Sequence, residues 1–109
     1  SYTSKEKTLD SFLSMDEKNF KNYFKKSPIL RIGWVSFLRN VIIASGNSKN
    51  RNLSKKIYKF LYDNNPIIRG ASIWSLFQLI EKNQKKKIKE KFLKKEKNKY
   101  VLYELNISD

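Results

Sequence analysis

Apolar residues along this chain recur three and four positions apart, and polar punctuation separates the blocks. Ser14 to Glu17 has the Ser-x-x-Glu form of a capping box, which predicts a lead-in helix over 14–26 with Ser14 as its N-cap. Phe20, Tyr23 and Phe24 would share one side of it, and Lys18, Lys21, Lys25 and Lys26 the other. Ser27-Pro28 ends that helix and suits a new start, with Pro28 at the first helical position. Trp34, Phe37, Leu38, Val41, Ile42 and Ala44 then fit a helix with a broad apolar face, and Gly46-Asn47 stands where a left-handed C-cap belongs.

The polar turn at 49–52 leads into Leu53, Ile57, Phe60 and Leu61, the i, i+4, i+7, i+8 spacing of an amphipathic helix. A first hairpin is therefore expected over 28–62. Asp63 to Pro66 is another turn, and Pro66 opens a second hairpin over 66–96. Its first helix, with Ile67, Ile68, Ala71, Ile73, Trp74, Leu76, Phe77 and Ile80, is apolar nearly all round and should be the most buried element. Its second half is Lys-rich, with only Ile88, Phe92 and Leu93 as a narrow seam. A terminal helix is expected over 97–107, packing back through Tyr100 to Leu105. No strand is needed anywhere.

Leu38 to Ser45 aligns with Ile68 to Ser75 at an offset of about 30 residues: apolar, Arg, small, then an apolar run. A weaker third copy begins near Tyr100. A competing register pairs 27–31 with 65–69; the first is preferred because it aligns helix interiors. Helical hairpins repeating at this period predict an all-α chain, a short HEAT-like α-solenoid of antiparallel hairpins in one domain.

Composition narrows the chemistry. The 109 residues contain no Cys and no His, so thiolate ligands, a Cys nucleophile and the commonest general base are missing. Lys plus Arg number 24 against 10 Asp plus Glu, a net charge of +14 that attracts polyanions. Nucleic acid is the first partner to consider and anionic membrane the second. No stretch approaches the apolar length of a transmembrane helix. The chain begins with Ser rather than Met, which fits a processed or cloned fragment of something longer.

Three phrases, Leu9 to Phe20, Ser27 to Ser48 and Asn64 to Leu79, together resemble the C-terminal part of epoxyqueuosine reductases. The likeness covers roughly residues 9–80 in the same order and spacing. One departure is Ala71, where that family often carries His. The resemblance implies a cytoplasmic, monomeric protein whose upstream catalytic domain binds cobalamin and two 4Fe-4S clusters and reduces epoxyqueuosine to queuosine in tRNA. This chain would then be the HEAT-like appendix that holds the tRNA, with no cofactor and no catalytic residue of its own.

Four Arg stand against twenty Lys. Arg31, Arg39 and Arg69 fall on positions that carry the resemblance, and their planar forks suit bidentate phosphate contact. The competing reading is structural, with Arg bonded to a loop carbonyl or a carboxylate such as Asp63. Lys25 and Lys26 adjoin Arg31. Lys49, Arg51, Lys55, Lys56 and Lys59 form a basic edge on the first hairpin, which Lys85, Lys86, Lys87 and Lys89 would continue on the second. Such contacts neutralise backbone without reading sequence. Trp34 and Trp74 are expected in the core rather than as stacking platforms. A protein-interaction scaffold and a DNA-binding HEAT-like module remain the alternatives.

Overall fold

The computed structural model describes residues 2–107, with side chains from Thr8 onward. All regular structure among them is helical: α1 (Tyr2–Leu13), α2 (Glu17–Tyr23), α3 (Trp34–Asn47), α4 (Ser54–Ile57), α5 (Pro66–Leu79), α6 (Lys82–Leu93) and α7 (Lys99–Ile107). Short 3-10 turns at Pro28–Ile32, Arg51–Leu53 and Tyr58–Tyr62 complete the path; the last two extend α4 into one helical stretch.

The periodic apolar residues are inside. Phe37, Leu38, Val41 and Ile42 of α3 are buried, as are Leu53, Ile57, Phe60 and Leu61 of the α4 stretch. Asn65 caps α5 by accepting a hydrogen bond from the Ile67 N–H at 2.9 Å, and Pro66 occupies the first turn. Along α5, Ile68, Ala71, Ile73, Leu76, Phe77 and Leu79 are buried, while Ile67 stays exposed and Trp74 is half-buried. The expectation that both belong to the core is corrected on these two lines of the helix. Trp34 is also half-buried, its ring 5.8 Å from Phe20.

Helix α5 is the hub. It packs against α3 on one side and α7 on the other, and the α4 stretch also lies on it. Val101 and Leu105 seal α7 to this core. Helices α3, α5 and α7 thus lie in series, beginning at residues 34, 66 and 99.

Several local expectations fail for physical reasons. Helix α1 was not foreseen, although Leu9 and Leu13 are buried at i, i+4 spacing. Because α1 runs to Leu13, Ser14 cannot open the next helix; its hydroxyl donates back to the Asp10 carbonyl at 3.3 Å. The cap is Asp16, which accepts from the Asn19 N–H at 2.7 Å while Asn19 Oδ1 accepts from the Asp16 N–H at 3.2 Å. The lead-in helix is therefore Glu17–Tyr23 rather than 14–26, and Tyr23 is 66% exposed rather than inward. Pro28 opens only a 3-10 turn, which breaks at Gly33 with φ 83° before α3 begins. Leu93 is exposed, so the α6 seam reduces to Ile88 and Phe92.

Gly46 is not a left-handed cap either. It lies inside α3, and the positive φ falls on Lys49 at 59°. Gly46 is small because α5 crosses there: a Cβ would sit 2.7 Å from Ser75 Oγ, 2.9 Å from Ser75 Cα and 2.9 Å from a Trp74 ring carbon. Ser75 uses the close approach to donate its hydroxyl to the Ile42 carbonyl at 2.7 Å. Backbone atoms cannot give way as a flexible side chain can, so Gly46→Ala should cost about 1–3 kcal/mol, read from chemical denaturation. Asn47→Ala, one residue on and exposed, should stay within about 0.5 kcal/mol.

Candidate nucleic-acid interface

The basic residues divide by what already holds them. Arg69 makes four hydrogen bonds inside the protein. Its Nε and Nη2 donate to the two carboxylate oxygens of Glu96, each at 2.9 Å, and Nη1 donates to the carbonyls of Asp63 at 2.9 Å and Asn64 at 3.0 Å. The Glu96 side chain is 8% exposed and also accepts from the Asn98 N–H at 3.0 Å. The Arg69 hydrogen bonds hold the Glu96 carboxyl below the usual range, against the opposing effect of burial. This fork ties the start of α5 to the turn before it and to the α6–α7 link.

Arg51 pairs with Glu81 at the mouth of α6, with both side chains exposed. Lys49 Nζ donates to Gln78 Oε1 at 3.1 Å. Lys56 tethers α1 to α4: its Nζ lies 3.0 Å from Asp10 Oδ1 and donates to Ser14 Oγ at 2.7 Å. Lys59 is exposed, with its ammonium 5.0 Å from the Phe60 ring centre. Lys25, Lys26, Arg31 and Lys55 are exposed and make no hydrogen bond or ion pair among the described residues.

What the fold gathers is a lysine groove along α6. Its described lining is Lys82, Asn83, Lys85, Lys86 and Lys89. Positions 82, 86 and 89 and positions 82, 85 and 89 follow one another at helical spacing, so a single helix face presents them all. Lys82 was not singled out from sequence, yet it completes this set; its spacing to Lys86 and Lys89 was the available signal. The Arg51–Glu81 pair places the corner at 49–51 next to the same helix start. Lys56, by contrast, is turned to α1.

Two further clusters were not anticipated. Lys91 and Lys95 lean over Tyr62, with ammonium-to-ring distances of 5.2 and 5.3 Å, and Lys91 Nζ donates to the Tyr62 hydroxyl at 2.6 Å. Arg39, half-buried on α3, opens with Glu104 of α7 onto a cavity over α5. Burial pushes the Glu104 carboxyl up, partly offset by the charge of Arg39. Such pairings across three helices leave no trace in local periodicity.

Compared with protein-family models, with curated proteins and with solved structures, the chain matches none. Among the described residues no helix is long and apolar enough to cross a membrane. Among the same residues no three acidic side chains converge where a metal ion could be held.

The Arg69–Glu96 fork is open to direct measurement. Arg69→Ala leaves a buried carboxylate without its cation and should cost roughly 3 kcal/mol at neutral pH. Because the folded-state pKa of Glu96 is lowered, the stability it contributes is complete above the unfolded carboxylate value and is lost as pH falls through the folded one. The gap between wild type and Arg69→Ala should therefore narrow in acid. Urea midpoints at neutral and acid pH read both effects; a gap that does not change with pH removes the electrostatic account.

Proposed function

We propose that this chain is a HEAT-like helical module that lies against the phosphate backbone of a folded RNA, with tRNA as the partner. The lysine groove of α6 carries the proposal. Four lysines on one face of one helix repel each other, and a row of phosphates relieves that repulsion while releasing condensed counterions. The 49–51 corner extends the contact, and exposed Lys55 and Lys59 add to the same field. Helices α3 and α5, each followed by a second helical stretch, support the hairpin-repeat reading.

tRNA rather than another RNA rests on the resemblance to epoxyqueuosine reductases over residues 9–80. On that reading an upstream catalytic domain holds the cobalamin and iron–sulfur clusters and performs the reduction in the cytoplasm. This chain, with no Cys to ligate a cluster, supplies RNA contact alone. Arg69 is removed from the phosphate-binding set, since four of its five N–H groups already donate inside the protein.

Affinity for tRNA should fall by about a decade or more between 50 and 200 mM salt. Replacing Lys82 and Lys86 together by Glu should weaken binding and flatten that slope, with the helical circular dichroism unchanged. Fluorescence anisotropy of labelled tRNA, with duplex DNA as competitor, makes the measurement. Salt-independent binding, or none, defeats the RNA reading in favour of a protein scaffold; equal competition by duplex DNA defeats the choice of tRNA.

A further inference from the structure

The cavity between α3, α5 and α7 lies apart from the lysine groove. It measures about 230 Å³ and is lined by Arg39, Ile43, Ala71, Trp74, Tyr100 and Glu104. Each helix contributes two residues one turn apart. Helix α5, between the other two, forms the floor with Ala71 and Trp74; α3 brings Arg39 and Ile43, and α7 brings Tyr100 and Glu104. Gly70 sets one wall: a Cβ there would stand 3.0 Å from two Tyr100 ring carbons, so the missing side chain is what lets that ring lie on α5.

The polar groups of this cavity are incomplete. Glu104 Oε1 is buried with no hydrogen-bond donor among the described residues. Arg39 is close enough to bias Glu104 electrostatically, yet no ion pair joins them. An acceptor that lacks a donor and a fork that lacks an acceptor thus face one small space, beside the rings of Trp74 and Tyr100.

We infer that this cavity is a binding site for an unpaired guanine base. A carboxylate only accepts, and its two oxygens suit two adjacent N–H donors. Guanine presents such a pair, N1–H and the N2 amino group, on its Watson–Crick edge, and the acceptors O6 and N7 on the neighbouring edge, where Arg binds it bidentately. Adenine places a bare N1 beside its amino group, and cytosine a bare N3; either lone pair would face the carboxylate. Uracil offers a single N–H between two carbonyls. The aromatic rings and Ile43 supply the apolar faces against which an unstacked base packs. Backbone-neutralising lysines do not distinguish one nucleotide from another, so this cavity would give the module its base preference. The inference rests on the RNA-binding proposal for its biological source of guanine, but free nucleotide tests it independently.

The experiment uses the whole chain and follows the indole N–H signals of Trp34 and Trp74 by NMR, assigned with Trp74→Phe. GMP should move the Trp74 signal and leave Trp34 in place. IMP, which lacks only the N2 amino group, should bind roughly tenfold more weakly, the loss of one hydrogen bond to a charged acceptor. AMP and CMP should be weaker still. Glu104→Gln exchanges one acceptor oxygen for an NH₂ and removes a buried charge without a partner, so it should keep the fold and lose the preference for GMP over IMP. A single-stranded oligoribonucleotide with one unpaired G, against the same G held in a duplex, separates an extruded base from free nucleotide. Equal response to GMP and AMP, or a GMP preference that survives Glu104→Gln, overturns the site, whatever tRNA affinity and its salt slope show. Salt-independent tRNA affinity beside an intact GMP preference would overturn the backbone contact and leave a nucleotide site standing.

Discussion

Everything in this fold is referred to one close crossing, that of α3 over α5 at Gly46 and Ser75. The two helices come near enough that a methyl group at residue 46 would overlap backbone of the other. Burial of apolar side chains drives helices together without specifying an azimuth. The Ser75 hydroxyl bonded to the Ile42 carbonyl at 2.7 Å adds direction, because a buried hydroxyl left without a partner would be costly. Ser45 and Ser72, also fully buried, return their hydroxyls to the carbonyls of Val41 and Ile68 within their own helices. Small polar residues thus occupy the core where close packing is needed, with their hydrogen bonds satisfied.

From that crossing the rest is positioned by scarce carboxylates. Asp10 receives Lys56, Glu81 receives Arg51, and Glu96 receives Arg69; each pair joins elements distant in sequence. Asp16 caps α2, and the Asp63 carboxylate accepts from the Asn65 N–H at 2.9 Å in the turn before α5. Among the described acids, Asp16, Asp63, Glu81 and Glu96 stand at joints between helices. The exposed pairs contribute little energy each, but the Arg69 fork, mostly buried and bidentate, locks the turn at 63–64 to the α6–α7 link.

Legibility followed range. Helices α3, the α4 stretch, α5 and α6 were readable because their apolar spacing is a local signal, and Asn65-Pro66 announces its own cap. Caps read from a motif alone went wrong when a neighbour had a prior claim: Ser14 satisfies the Ser-x-x-Glu pattern, but α1 and Lys56 already use it. Gly46 looked like a helix stop because glycine serves both as a left-handed cap and as a place for helices to touch, and only the partner helix decides between them. For the candidate interface, charge density was visible from composition. Which cations are consumed internally was not, since Arg69–Glu96 and Lys56–Asp10 span 27 and 46 residues.

The division of labour among the charges leads to one last step. With 10 acids against 24 bases, the cations outnumber the carboxylates that could pair with them. A folded chain can tolerate this because exposed ammonium groups stay hydrated and screened by salt. It cannot bring several of them onto one helix face without raising the local potential, and α6 does so beside a narrow apolar seam in which Ile88 and Phe92 are buried. On the proposed reading, those lysines would meet a polyanion that approaches from solvent. Arg39 and Glu104 follow the opposite logic: opposite charges placed near one another over the best-packed helix, held short of contact, with space between them. On the proposed reading, one surface would meet a row of charges and the other a single shaped group, a pairing of positioning and selection.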